Sequence, residues 1–423
     1  MKTDSKDSTV DSHSLPRRSI LKAGATIAGA SALGFPAIVR SQSDKLVIGH
    51  LTPLTGFLGA LGEYAQMGVK LAQEELNGAG GVLGRQIELI AEDSVNPSTA
   101  SSKAQRLFER DGAVMLLGEI SSASALTISQ VAARNKRIFV SSGARSDALR
   151  GKNCNRYTFH VDTSTTANVK GVGTALLREN MIRGKKLFAL TADYVFGHDL
   201  ARAAKAFIGA NGGSLIGDEL VATDVADFTP YLLKIRQARP DVVASNLAGN
   251  QVTTFLKQYS EYGLSYPIVG FNLNTNDAWA AGYDNFGGIW PIVWYHTLDV
   301  PSSKAFVEAF TKKYGKPPEH HAWTDYLSLK IVAHAMNETK STDAEKLIAH
   351  LEKGAEFDIL KARKGYFRDW DHQMMQEQYT VRLKPKAQVR DKWDILALGP
   401  AVPGPNEPLE SVATTRQENA CTM

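Results

Sequence analysis

Four glycines crowd the stretch EELNGAGGVLGRQIELIAED at 74–93: Gly78, Gly80, Gly81 and Gly84. A glycine-rich loop holds phosphate when it follows a strand and opens a helix, because the helix N-terminus then aims its free N–H groups at the anion. Here the order is reversed. Ala65, Val69, Ala72 and Leu76 recur at helical spacing before the glycines, and RQIELIAED alternates apolar and polar residues after them. The spacing matches neither GxGxxG nor a P-loop. These glycines are therefore expected to end a helix and turn the chain, where positive φ costs glycine little.

Other reactive groups are as sparse. Cys154 and Cys421 form no CxxC, the histidines show no HExxH spacing, and no GxSxG elbow is present. The serines that end apolar runs have no histidine close by in sequence, and His320 and His321, after KPP, read as a solvated helix start. The chain is expected to be no enzyme and to use no cofactor or metal. Its net charge of +4 is spread along 423 residues without a basic stripe, which argues against nucleic acid.

The N-terminus carries a different signal. PRRSILKAGATIAGASALGFPAIV joins two arginines to a weakly apolar run, and it resembles a twin-arginine export signal through Arg17, Arg18, Leu21 and Lys22. Pro16 and Ile20 depart from that pattern. Lys22 and the many small residues make the run too weak for a membrane anchor, so export is expected, with residues 1–41 removed after Ser41. No later segment is expected to span a membrane. In an oxidising compartment Cys154 and Cys421 are expected to pair and to tie down a tail, 401–423, that otherwise reads as loose.

The elements around these residues alternate. KLVIGHL, RQIELIAED, AVMLLGEI and RIFVSSG read as strands separated by helical stretches such as PSTASSKAQRLFERDG. After NRYTFHVDTS the pattern restarts with KKLFALTAD, GSLIGDELV, PDVVASNLA and PIVGFN, and helices are expected near 165–181, 197–210, 229–238 and 250–262. Further helices are expected near 302–313, 321–338 and 343–352, followed by GYFRDWDHQMMQEQYTVRLK and KWDILALG as an antiparallel pair. Such alternation implies α/β architecture with two doubly wound parallel-sheet lobes joined by a multi-strand hinge. The expected division is 44–163 plus 299–368 for lobe 1 and 164–298 plus 369–400 for lobe 2. In open sheets of this kind ligands bind beyond the C-terminal strand ends. Those ends carry TPLTG, EISSAS and SSGAR in one lobe, and ADYVFG, NLAGN and FNLNTN in the other.

Between about Leu46 and Pro400 the order of LTPLTGFLGALGE, EELNGAGGVLGRQIELIAEDSVNP, GEISSASA, SSGARSDAL, CNRYTFHVDTS, ADYVFGHDLARA and DHQ resembles the type I periplasmic solute-binding proteins, in their branched-chain amino acid branch. The resemblance implies a monomer that closes two lobes on a small-molecule solute in the periplasm and delivers it to the permease subunits of an ABC importer. It implies that Ser122 contacts a ligand carboxylate with Ser121 beside it, although a serine at a helix start is equally an N-cap. Ala144 and Arg145 lie on a loop that faces the same group, with Arg145 where relatives carry threonine. Phe57, Tyr194 and Phe196 are candidate walls.

The departures from the family pattern bear on the solute. Phe196, Leu61 and Ala248 stand where leucine-type binders carry tyrosine. The loop that usually supplies a glutamate to the ligand ammonium reads FNLNTND, with Asn272, Asn274 and Asn276, and Asp277 is the nearby acid. A carboxylate-bearing solute with an apolar, aromatic body is therefore expected ahead of a branched-chain or other amino acid. A ligand-sensing receptor component is the remaining alternative.

Overall fold

The computed structural model describes residues 45–423. The export signal and its cleavage point lie outside the described residues. Strands β1 (Leu46–Thr52), β2 (Ile87–Asp93), β3 (Met115–Gly118), β4 (Ile138–Ser141) and β5 (Thr158–His160) form a parallel sheet in the order β2-β1-β3-β4-β5. Between them run α1 (Gly59–Gly78), α2 (Pro97–Glu109), α3 (Ser122–Asn135) and the short α4 (Asp147–Arg150).

A second parallel sheet, β7-β6-β8-β9, holds β6 (Lys186–Ala192), β7 (Ser214–Val221), β8 (Val242–Asn246) and β9 (Ile268–Gly270). Its helices are α5 (Thr165–Arg178), α6 (Val195–Ala210), α7 (Thr229–Ala238), α8 (Asn250–Glu261) and α9 (Thr275–Ala281). The fold is the α/β two-lobe architecture that the alternation implies. Both sheets reverse strand order beside their first strand, so each has a switch point where loops splay apart.

The rest of the chain stitches the lobes together. β10 (Trp290–Ile292) lies beside the second sheet, and α10 (Pro301–Tyr314), α11 (His320–Thr339) and α12 (Ala344–Leu351) follow. α11 packs along α1, on the side of the first sheet. The stretch expected as one strand divides into β11 (Tyr366–Phe367), β12 (Met374–Met375) and β13 (Tyr379–Leu383), and β13 pairs antiparallel with both β10 and β14 (Leu396–Leu398). The chain thus passes between the lobes after β5, between β10 and α10, and between β12 and β13.

Local chemistry explains the helix ends. Asn96, Ser121, Ser164 and Asp343 each accept a backbone N–H in the first turn of the helix they precede, filling one of the donors that a helix start leaves unpaired. At the other end of α1, Gly81 has φ +84°, and a Cβ there would lie 2.0 Å from the Arg85 carbonyl oxygen. Val82 and Arg85 then pair across the turn and the chain enters β2. The glycine run turns a corner and does not open a helix.

The tail is strapped down. Gln378 and Val402 exchange backbone hydrogen bonds, Arg363 donates to the Gly404 and Glu407 carbonyls, and Arg368 donates to the Thr414 carbonyl. Leu409 and Ala413 bury against Met375, Lys170 on α5 donates to the Ala413 carbonyl, and a disulfide joins Cys421 to Cys154 beyond α4. The strap therefore touches the hinge strands, the second lobe and the first lobe in turn.

Candidate functional site

The loops at the C-terminal strand ends of the two sheets face each other. Leu58, Leu61, Ile120, Gly143, Arg145 and His321 from one lobe enclose a small space with Tyr194, Phe196, Ala248, Asn272 and Asn274 from the other. Its free volume is about 20 Å³, so an organic solute enters only if the lobes part or the walls move. The lobes meet closely because Gly249, with φ +54°, lacks a Cβ: one placed there would sit 2.3 Å from the Phe57 carbonyl oxygen.

Arg145 is the one arginine among these lining residues, which include no lysine or carboxylate, and it is 4% exposed. Its Nε donates to Asp162 Oδ2 at 2.8 Å, and its Nη1 crosses the cleft to Asn272 Oδ1 at 2.5 Å. Its Nη2 is buried without a partner among the described residues. Asp162 is fixed in turn by the Thr163 N–H at 2.7 Å and by His320 Nε2 at 2.9 Å. Burial alone would raise the Asp162 pKa, but Arg145 and His320 outweigh it and hold the carboxyl far below the usual range. His320 is driven down to about 4, chiefly by burial, so it stays neutral.

The remaining polar groups divide into support and lining. Ser122 is buried, and its hydroxyl accepts the Ser146 N–H at 3.2 Å, which steadies the loop that carries Arg145. Ser121 caps α3. Neither serine borders the space, and Ala144 packs wholly inside the first lobe. Phe57 stands behind the wall: its ring meets Tyr194 edge-on with centroids 5.5 Å apart, and Tyr194 leans on Phe196 at 5.7 Å. Leu61, Arg145, Tyr194, Phe196, Ala248 and Asn272 are thus gathered on the space, whereas Phe57, Ser121, Ser122 and Ala144 serve it from one layer back.

Some lining residues have no counterpart in the sequence reading. Leu58, Ile120 and Gly143 sit inside the motifs LTPLTGFLGALGE, GEISSASA and SSGARSDAL, one position or so from residues singled out there. His321 was harder to find, because it comes from the start of α11, far in sequence from any strand end. The expectation of a solvated helix start at His320 and His321 is wrong: both are 1% exposed. Glu319 caps that helix through the His321 N–H at 2.7 Å and takes His321 Nδ1 at 3.1 Å, leaving Nε2 toward the space.

Asp162, His320 and His321 bring possible metal-ligand atoms within 4.8 Å of one another. A cation there would compete with the Arg145 guanidinium for the same Asp162 oxygen, so the group fits an ion-pair network better than a metal. Acceptors without partners lie nearby: Asn274 Oδ1, and Oδ1 of Asp277, whose other oxygen takes Asn274 Nδ2 at 3.1 Å. Burial, aided by Glu319, raises the Asp277 carboxyl well above its ordinary pKa, which disfavours its charged form.

Two facing strand-end rims, a hinge and a polar anchor in an apolar cleft define a solute-binding protein. A family model described as periplasmic binding protein matches residues 45–388, and the chain belongs to that family. Over 319 residues it is 26% identical to the Leu/Ile/Val-binding protein homolog 7 of Brucella melitensis, covering 71% of this chain and 79% of that one. Its fold is similar to a periplasmic binding protein from Burkholderia mallei, with TM-score 0.82, 29% identity, and coverage of 90% and 99% of the two chains. A solute-binding protein of an ABC transporter from R. palustris, solved in complex with benzoate, has TM-score 0.77 and 21% identity over 90% of this chain and 100% of that one. The chain is thus, by family, a periplasmic binding protein.

Proposed function

We propose that this protein captures a small carboxylate-bearing solute with an apolar, preferably aromatic, body and delivers it to ABC importer permease subunits. The fold serves both a relative named for Leu, Ile and Val and a protein seen with benzoate, so the lining side chains must discriminate. Arg145 Nη2, a buried guanidinium donor without a partner in a mostly apolar cleft, carries the reading. A buried charged donor strongly favours an anionic acceptor. Tyr194 and Phe196 offer faces for a ring, and Leu58, Leu61, Ile120 and Ala248 complete an apolar surround.

Amino acid capture is the second reading, favoured by the unpaired Asn274 and Asp277 oxygens. Against it, Asp277 is buried where its charged form is disfavoured, so it offers an ammonium less than the glutamate usual in the family. Calorimetry of solute-stripped protein with benzoate, a hydroxycinnamate, leucine and phenylalanine separates the two. Heat from either aromatic acid with silence from leucine is expected; tight leucine binding with no response to the aromatic acids reverses the assignment.

Export by the twin-arginine route belongs to the same proposal. Replacing Arg17 and Arg18 together with lysine should hold the precursor inside the cell, read by immunoblot of periplasmic and cytoplasmic fractions. Undiminished periplasmic protein would exclude the route.

A further inference from the structure

We propose that Asn272 and Asp162 are positioning residues that turn Arg145 into a clasp, so that one guanidinium both holds the solute's acid group and latches the lobes together. The proposal deepens the carboxylate reading and, for its solute-dependent half, rests on it. A guanidinium offers its donors along fixed edges of a rigid plane. Asp162, from the same lobe, takes Nε, and Asn272, from the opposite lobe, takes Nη1. Nη2, with both of its N–H donors, has no partner among the described residues and is left for a solute.

Both partners are themselves held. Asp162 is locked by the Thr163 N–H and His320, and Asn272 donates from Nδ2 to the Leu247 carbonyl at 3.2 Å. The guanidinium therefore has little freedom to turn toward an incoming acid, and it reaches Asn272 only when the lobes are together. A backbone bond beside it, from the Thr165 N–H to the Arg145 carbonyl at 2.8 Å, joins the same loop to the start of α5. Around it, the α4 loop meets the second lobe through carboxylates: Asp199 of α6 accepts from the Ser146 hydroxyl and the Ala148 N–H, and Asp147 accepts from Thr166. The Arg202–Asp147 ion pair involves an arginine 59% exposed, and such pairs contribute little. Two consequences follow: the clasp favours closed lobes even before solute arrives, and loss of Asn272 weakens acid binding by speeding release.

The test uses mature protein stripped of solute by reversible unfolding, as wild type, Asn272→Ala, Arg145→Lys and the double variant, each checked for folding by circular dichroism. Small-angle scattering without solute should show a larger radius of gyration for each single variant, with no further widening in the double. Equal radii for wild type and Asn272→Ala would overturn the clasp. With benzoate as probe, stopped-flow dissociation should be roughly tenfold faster in Asn272→Ala, the scale of one hydrogen bond to a charged group. Unchanged dissociation would overturn the coupling of acid and closure. If wild type ignores every acid, the carboxylate reading falls, while the solute-free scattering still judges the latch by itself.

Discussion

Arg145→Met is expected to abolish acid capture and to cost about 3–5 kcal/mol of folding stability at pH 7, the range seen when one partner of a buried ion pair is removed. The side chain it replaces is 4% exposed and pairs with Asp162, which is 0% exposed. The variant leaves that carboxylate with His320 and one backbone N–H but no formal cation of its own. The pH dependence follows from the direction of the shift. In the wild type the Asp162 pKa is depressed, so its stabilisation is complete above the unfolded value near 4 and is lost only as pH falls toward the lower folded value. Without Arg145, burial dominates and the folded pKa rises, so protonation relieves the variant as the medium becomes acidic. Urea unfolding at pH 7 and pH 4 should therefore show the gap between the two proteins shrinking at the lower pH. A variant within about 0.5 kcal/mol of wild type at pH 7 would contradict the role given to the pair, since that is the scatter of an ordinary surface substitution.

Separating the strap from lobe 1 should have the next largest effect. The disulfide closes a loop of 267 residues in sequence, and long loops gain most from closure in the chain-entropy account, with typical values of about 2–4 kcal/mol. Cys154→Ala with Cys421→Ala should lose stability on that scale and expose the strap to protease. The Leu409 and Ala413 contacts with Met375 would remain, so the strap should fray from Cys421 inward and not detach at once. Urea unfolding together with limited trypsin digestion, cutting first at Arg416, reads both effects. Equal unfolding midpoints and equal digestion would show that the disulfide adds nothing to the fold.

Much of this fold was legible because strand–helix alternation needs only local periodicity. β1 through β4 and α5 through α8 fall where apolar spacing and the flanking turn residues put them. The short elements were not legible. α4 spans four residues and has almost no periodicity of its own; it forms because Ser146 caps it and Asp199, from α6, takes the Ala148 N–H. β10 is three residues whose strand character comes from β13 beside it. The site was legible where function sits at strand ends, as for Arg145, Phe196, Ala248 and Asn272. His321 was not, since nothing local says that the start of α11 is covered by the opposing loops. The serine hydroxyls were similarly ambiguous: Ser121 and Ser122 occur at a helix start for either reason, and their hydrogen bonds in the structure go to Ser124 and Ser146.

The central claim is that a carboxylate on the solute answers Arg145. It is tested most directly by titrating stripped protein, in the same calorimeter and buffer, with acids and their uncharged amides: benzoate against benzamide, and leucine against leucinamide, whose ammonium is kept while its carboxylate is lost. The account predicts one-to-one binding of benzoate and at least about tenfold weaker binding of benzamide, the cost of leaving a buried charged donor without an anionic partner. Any binding of leucine should be weakened in the same way on replacing it with leucinamide. Benzamide binding as tightly as benzoate would contradict the account.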